Sequence, residues 1–294
     1  MVSLATSAGE EFGQGRRGPQ LRPARVALHA LVGLLCFLTI FPFFWMLSTS
    51  VKIPTEIFTK DIRILPTAPT LANFPDAFAF FPVANWFWNS FFIATMTTLG
   101  KIAVSVPAAF AFARLQFRGS SVLFAAVLGT MIVPGVVTFV PNYVLVSDLG
   151  WINTPWGVII PSIAPTAFSV FLLRQYIRTL PQEILDAARI DGAGTGQILL
   201  HIVLPNIKPA IAVVTILAFL ASWNQYTWPL LVLNDLESKT LAVGMQFFST
   251  NTESAQLWGP MMATATLATL PPLIIYALAQ KQIISTFVTS GMKG

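Results

Sequence analysis

The chain has 294 residues, of which 55% are hydrophobic and only 10% charged, and its formal net charge is +5. Soluble domains carry about 25% charged residues, so the composition excludes an ordinary globular protein and marks a polytopic membrane chain. One cysteine, Cys36, and two distant histidines, His29 and His201, exclude a disulfide framework and a metal cluster, and the positive balance suits an inner membrane leaflet rather than nucleic acid.

Residues 1–25 form a polar, Gly-rich, basic tail. The apolar run after it is too long for a signal peptide and reads as a retained span. Crossing a bilayer core takes about 20 apolar residues in a helix. Stretches nearly free of charge of that length or more predict six spans, at about 26–51, 84–113, 119–147, 155–178, 206–233 and 260–284. Residues 52–83 are Pro-rich and mixed in charge, an extramembrane connection. Trp86, Phe87 and Trp88 open the second span as an aromatic belt. Pro134, Pro141, Pro161 and Pro165 cluster in the third and fourth spans, and Pro271-Pro272 lies in the sixth. A proline frees a carbonyl inside the membrane, so each is either a packing kink or a bend around a pathway. The polar stretch 234–258 is a linker or an outer binding surface, and residues 289–294 end the chain as a short tail.

The Lys and Arg positions orient the spans. With the N-terminus inside, twelve of the 17 basic residues fall on the inner side, four on the outer side, and Lys101 lies within the second span. Both termini and the loop at 179–205 are therefore placed in the cytoplasm.

That loop carries its own helix signals. Thr179 with Gln182 three residues on predicts a cap, and Pro181 suits a first turn. Residues 183–190 are good helix formers, with acidic Glu183 and Asp186 early. Asp191-Gly192 predicts a left-handed stop, Thr195 a second cap, and Pro205 the end of a second helix over 196–203. The product is a bent finger with a compact face of Ala187, Ala188 and Gly192.

Catalytic patterns are missing. Residues 192–197 are Gly-rich but lack the lysine and the preceding strand of a phosphate-binding loop, and no HExxH or CxxC occurs. All twelve acidic residues fall outside the spans or at their edges, whereas ion-coupled carriers keep acids within theirs. The chain is therefore read as neither an enzyme nor a self-powered carrier, with the finger receiving work from a partner. A membrane transferase acting on lipid-linked substrates would need an interfacial cluster of His or acidic residues. A secondary carrier would transport without an ATPase.

The sequence Asp186-Ala187-Ala188, then Gly192, Ile202 and Leu204-Pro205, resembles the EAA loop of binding-protein-dependent ABC importer permeases. The spacing matches throughout, and the one departure is Asp186 where that pattern has Glu. The segments Asn89-Ser90, Ala111-Phe112-Ala113-Arg114 and Ser222 to Leu230 are similar to the carbohydrate-uptake branch, and within it to MalG-like subunits. The resemblance implies an all-α fold with six transmembrane helices, in a bacterial plasma membrane. It implies a second related permease subunit, two copies of an ABC ATPase subunit that bind the ATP, and an extracytoplasmic solute-binding protein. No cofactor is expected on this chain itself. Asp186, Ala187, Ala188, Asp191, Gly192, Ile202, Leu204 and Pro205 would form the ATPase-coupling element. The implied solute is a carbohydrate, with a non-sugar solute such as glycerol phosphate as the alternative.

Several polar residues keep two readings. Asp186 either supports the helix dipole or docks the partner. Lys101 would cost about 2.5–3.5 kcal/mol at mid-bilayer, so it either snorkels, pairs with a carbonyl, or lines a cavity. Asn224 and Gln225 either bond between helices or line the pathway, and Asn89 is a further pathway candidate. Trp223 and Trp228 read as packing residues before sugar platforms.

Overall fold

A computed structural model describes residues 23–59, 61, 63–164, 166–250 and 255–291. Most of the N-terminal tail, Lys60, Pro165, Glu253 and Lys293 lie outside the described residues, and so do the expectations placed on them. The chain divides into two compact units, residues 1–45 and 46–294. The first holds most of helix α1 (Pro23–Ser50), which runs uninterrupted through Pro42.

The second unit is built on α4 (Val83–Arg114), reached through the short helices α2 (Pro54–Ile57) and α3 (Asn73–Phe80). At 1.5 Å per residue its 32 residues extend about 48 Å, more than the roughly 30 Å that a hydrocarbon core requires. It passes Pro107 without a break.

The expected third, fourth and fifth spans are broken helices. α5 (Ser120–Gly129) continues through one 3-10 turn to Ile132, then turns by 95° at Pro134 before α6 (Phe139–Asp148). α7 (Pro155–Ile163) and α8 (Ala167–Arg178) meet at 47° across residues 164–166. The residue before a proline is pushed out of the helical region, which accounts for the turn at Val133 with its ψ of 117°. Pro141 and Pro161 sit near a helix start and inside a helix and break nothing. Bending is thus confined to part of the proline cluster.

The fifth expected span, 206–233, is not one helix. Beyond the finger, whose two limbs are α9 (Gln182–Ile190) and Thr195–Asn206 with α10 (Thr195–Gln197) and α11 (Leu204–Asn206) at its ends, comes α12 (Lys208–Trp223). At about 24 Å it falls short of the bilayer core. Asn224-Gln225-Tyr226 then interrupt it before α13 (Thr227–Val232). Polar Asn and Gln in series offer the backbone alternatives to helical bonding, which the expectation of a continuous span ignored. α14 (Leu241–Thr250) and α15 (Trp258–Gly291) complete the fold, and α15 runs through Pro271-Pro272.

α14 was not foreseen: its stretch reads as a linker or an outer surface. It exists because it has a partner. Trp86, expected in an interfacial belt, is fully buried and donates its indole N–H to Leu236 O at 2.7 Å. Phe248 of α14 meets its ring edge-on, and Gly244 lies so close that an added Cβ would stand 2.2 Å from the indole. Trp88 alone of the belt tryptophans is widely exposed. Gly244→Ala should therefore destabilise the packing of α14 on α4 by about 1–3 kcal/mol, read as a lower thermal midpoint in detergent, because a fully buried indole cannot give way.

The segments before α4 and after α13 are tied by buried polar groups. Lys52 Nζ donates to Arg63 O at 2.6 Å and Lys239 Nζ to Leu233 O at 2.8 Å. Burial holds both ammonium groups below the ordinary lysine value, with Glu56 and Asp235 pulling in the other direction. Asn73 bridges Ser50 O and Lys52 O at 2.9 and 2.7 Å.

Candidate functional site

The finger opens on α9, but not by the expected cap. Thr179 Oγ1 donates back to Tyr176 O at 2.8 Å, and the helix starts after Pro181, whose ψ of 135° is extended. Gln182 instead donates to Asp186 Oδ1 at 3.0 Å. At the other end Gly192 takes φ +84°, as expected. Its N–H reaches Arg189 O and that of Ala193 reaches Ala188 O, at 3.0 and 2.9 Å, closing the helix with the paired bonds of a Schellman turn.

The second limb departs from expectation at both ends. Thr195 caps nothing; the limb begins with it, and Gln197 Oε1 accepts from the Gly194 N–H at 2.8 Å. Residues 198–203 form a π-helical segment, and the chain passes through Pro205 to Asn206. Pro205 cannot donate to His201 O, and the wider π turn lets the limb continue where an α-helix would stop.

The two limbs share a buried side. Leu185, Ala188, Ile198, Val203 and Ile207 form one apolar cluster with Val106, Ala109 and Phe110 of α4 and with Leu173 and Ile177 of α8. Full burial of a Leu or Ile is worth about 1.5–3 kcal/mol, so the finger is fused to the helix ends rather than tethered. Its other side is open: Ile184, Ile190 and Leu200 are exposed, Ile190 by 86%. Of the motif residues, Asp191, Gly192 and Ile202 line one surface depression of about 330 Å³ with Ala193, Gln197 and His201. Asp186 and Ala187 are exposed beside it, and Asp186 pairs with Arg189 at 2.9 Å. Ala188 and Leu204 pack into the core, and Pro205 is exposed.

Arg114, the last residue of α4, locks the finger's root. Its guanidinium donates to Ile177 O at 2.7 Å, to Leu180 O, and to Gln182 Oε1 at 2.8 Å. It thereby joins the end of α8 to the start of α9. Arg174 Nε donates to Phe112 O at 3.1 Å while its guanidinium lies 4.0 Å over the Phe124 ring.

The pathway candidates separate. Lys101 and Gln225 meet in a 110 Å³ pocket lined also by Thr97, Ser162, Ala221 and Ser222. Asn89, about 18 Å away along α4, spends its amide on Glu237 O and Lys239 O at 2.8 and 3.0 Å and so holds the loop between α13 and α14. Asn224 is exposed and donates to Leu220 O within its own helix. Trp223 and Trp228 are buried packing residues, their indole N–H groups bonded to Ala268 O and Gly157 O. Among the described residues no group of His, Cys, Asp and Glu is placed to hold a metal ion.

A family model described as the binding-protein-dependent transport system inner membrane component matches residues 102–286. The chain belongs to this family. The sn-glycerol-3-phosphate transport system permease protein UgpE of Brucella melitensis biotype 1 (strain ATCC 23456 / CCUG 17765 / NCTC 10094 / 16M) is 32% identical over 267 residues, covering 88% of this chain and 94% of that protein. The arabinooligosaccharides transport system permease protein AraQ of Bacillus subtilis (strain 168) is 32% identical over 283 residues, covering 95% and 99%. In fold, the chain is similar to a solved bacterial ABC transporter involved in the import of the acidic polysaccharide alginate. The TM-score is 0.80 at 22% identity, covering 90% of this chain and 98% of that one.

This binding-protein-dependent permease is thus a multi-pass inner-membrane subunit of an ABC importer and not an enzyme; ATP hydrolysis falls to a separate subunit. The resemblance read from the finger motif holds. Sequence reasoning quoted Arg114 only as part of a helix end and Ser222 only as the start of a family-like segment, and it passed over Thr97 and Ser162. A lone arginine closing a span was the available signal for the first. The other three are small polar residues indistinguishable by sequence from ordinary helix-packing hydroxyls.

Proposed function

We propose that this permease forms half of a pathway for a polyhydroxylated solute, a sugar or a polyol derivative. A second, related permease completes that pathway. Two ATPase subunits beneath the pair bind the ATP, one receiving the finger of this chain, and none is held by this chain. A solute-binding protein delivers the solute from outside. Both termini lie in the cytoplasm, on the side where Arg114, Arg174, Arg178, Arg189 and Lys208 surround the finger. Asp186, Ala187, Asp191, Gly192, Ile202 and Pro205 present the docking side, while Ala188 and Leu204 anchor it. One observation carries the coupling: the finger is apolar on two sides, one fused to α4 and α8 and the other open at Ile184, Ile190 and Leu200. A closing partner can push on the open side and move the helix ends as one body. The solute class rests on the relatives, whose named solutes all carry two or more hydroxyl groups.

The test is site-directed cross-linking in the complete importer. With exposed Cys36 replaced by Ser, single cysteines at 184, 190 and 200 should cross-link to the ATPase subunit, and cysteines at buried 185 and 198 should not. Equal labelling of both sets, or labelling of 184 and 190 by an impermeant reagent from outside, would defeat the reading.

A further inference from the structure

The pocket around Lys101 has no function in the finger or the segments before α4 and after α13. Lys101 lies about 27 Å along α4 from its first residue and about 20 Å from its last, well inside the membrane. It makes no ion pair or hydrogen bond among the described residues, and no carboxylate lines its pocket. A charged group at that depth persists where it faces a polar cavity and meets a counter-charge.

The neighbours are donors held open. Thr97 is 1% exposed, one turn before Lys101, and its hydroxyl is buried with no partner among the described residues; the Ser222 hydroxyl is in the same position. Thr49, Ser105 and Thr240 also bury hydroxyls without a partner among the described residues, but Thr97 and Ser222 are the two that line the Lys101 pocket. Thr98, Thr215, Thr264 and Thr266 each donate to the carbonyl four residues back, at 2.7–2.9 Å. Gln225 engages Ser162 Oγ through its Oε1 at 3.3 Å, which leaves its amide N–H groups to donate elsewhere. The wall is firm at this point: an added Cβ on Gly100 would stand 2.3 Å from Ile163 Cδ1, so α4 and α7 touch beside the pocket.

We infer that Lys101, with Thr97, Ser222 and the Gln225 amide, holds the anionic group of the solute as it crosses, so that this permease carries an acidic or phosphorylated member of the polyhydroxylated class. An ammonium, two free hydroxyls and an amide, with no ionised acceptor, form a cradle for an oxyanion. At 110 Å³ the pocket suits a phosphate or a carboxylate and leaves no room for an oligosaccharide, so it reads the charge and not the sugar. The inference rests on the solute class proposed above and narrows it.

The experiment measures uptake by cells carrying the complete importer with its own binding protein. Three labelled probes are used: sn-glycerol 3-phosphate, an alginate oligosaccharide and a neutral arabino-oligosaccharide. Uptake of one acidic probe is expected, and which one separates phosphate from carboxylate. Lys101→Met should raise the half-saturation concentration or lower the rate for that probe at least ten-fold, at equal membrane level and with the second permease still co-purifying. Lys101→Arg should restore most of it, since it returns the charge. Uptake of the neutral probe alone overturns the anion site but leaves the solute class standing. Uptake of no probe overturns the anion site, and a binding protein that then retains only amino acids or peptides overturns the solute class as well. Acidic uptake untouched by Lys101→Met, or loss of the second permease from the complex in that variant, also overturns the site, the latter by making Lys101 an assembly contact.

Discussion

Gly192→Arg is expected to lower ATP-driven uptake at least a hundred-fold while the chain still reaches the membrane. Gly192 sits at φ +84°, where an L side chain is strained by about 1–2 kcal/mol. No atom lies within 4 Å of a Cβ built there, so the substitution meets no steric block. The elbow bonds from Gly192 to Arg189 and from Ala193 to Ala188 can therefore survive at that cost. What changes is the docking side. An arginine would rise from the depression lined by Asp191, Gly192 and Ile202 and fill it with a long charged side chain. A hundred-fold loss is about 2.7 kcal/mol, well within reach of a long charged side chain that must be desolvated or displaced for the partner to dock. Gly192→Asn separates the two causes. Asparagine tolerates the left-handed region and adds no charge, so it should keep uptake within a few-fold of normal. Co-purification of the ATPase subunit should fail with Arg and persist with Asn. If Asn is as damaging as Arg, the elbow's shape matters and the docking side does not.

The elbow could be read in the sequence because its signal is local. A glycine after a helix of good formers, following Asp191, has few conformations open to it, and the structure adopts the expected one. The long spans were equally legible, since α1, α4 and α15 are apolar over more than a bilayer's thickness and their internal prolines are absorbed. Trp86 was misread because a non-local partner decided the outcome, and the caps and the polar break because a competing local signal was overlooked. Trp86 has the composition of an interfacial aromatic, but Gly244 and Phe248, some 160 residues later, enclose it. Thr179 and Thr195 have the chemistry of caps. At the first, Pro181 delays the helix start; at the second, Gln197 satisfies the free N–H instead. The polar break at residues 224–226 hid inside an apolar run because a span is counted by charges, and Asn and Gln carry none. Lys101 and Gln225 were both suspected, yet only packing of α4, α7 and α12 sets them in one pocket and sends Asn89 and Asn224 elsewhere.

Arg114→Met is expected to separate ATP hydrolysis from transport: uptake should fall thirty-fold or more while the assembled importer still hydrolyses ATP. The finger's apolar side, with Leu185 and Ile198 buried against α4 and α8, survives this change, so docking persists. The geometry at its root does not. Arg114 satisfies Ile177 O at the end of α8, Leu180 O in the link that follows and Gln182 at the start of α9, so one guanidinium sets the angle between the membrane helix and the first limb. A hydrogen bond to a charged group contributes about 1.5–3 kcal/mol, and the half-buried carbonyls left behind find only partial replacement in water. Without the clamp, a push on the open side would rotate α9 about residues 179–181 instead of tilting α4 and α8 with it. Arg114→Lys should fail nearly as badly, because an ammonium cannot span acceptors on two elements as a planar fork does. Uptake and hydrolysis falling in parallel, or full uptake by the lysine variant, would remove Arg114 from the transmission and leave the apolar cluster to carry it alone.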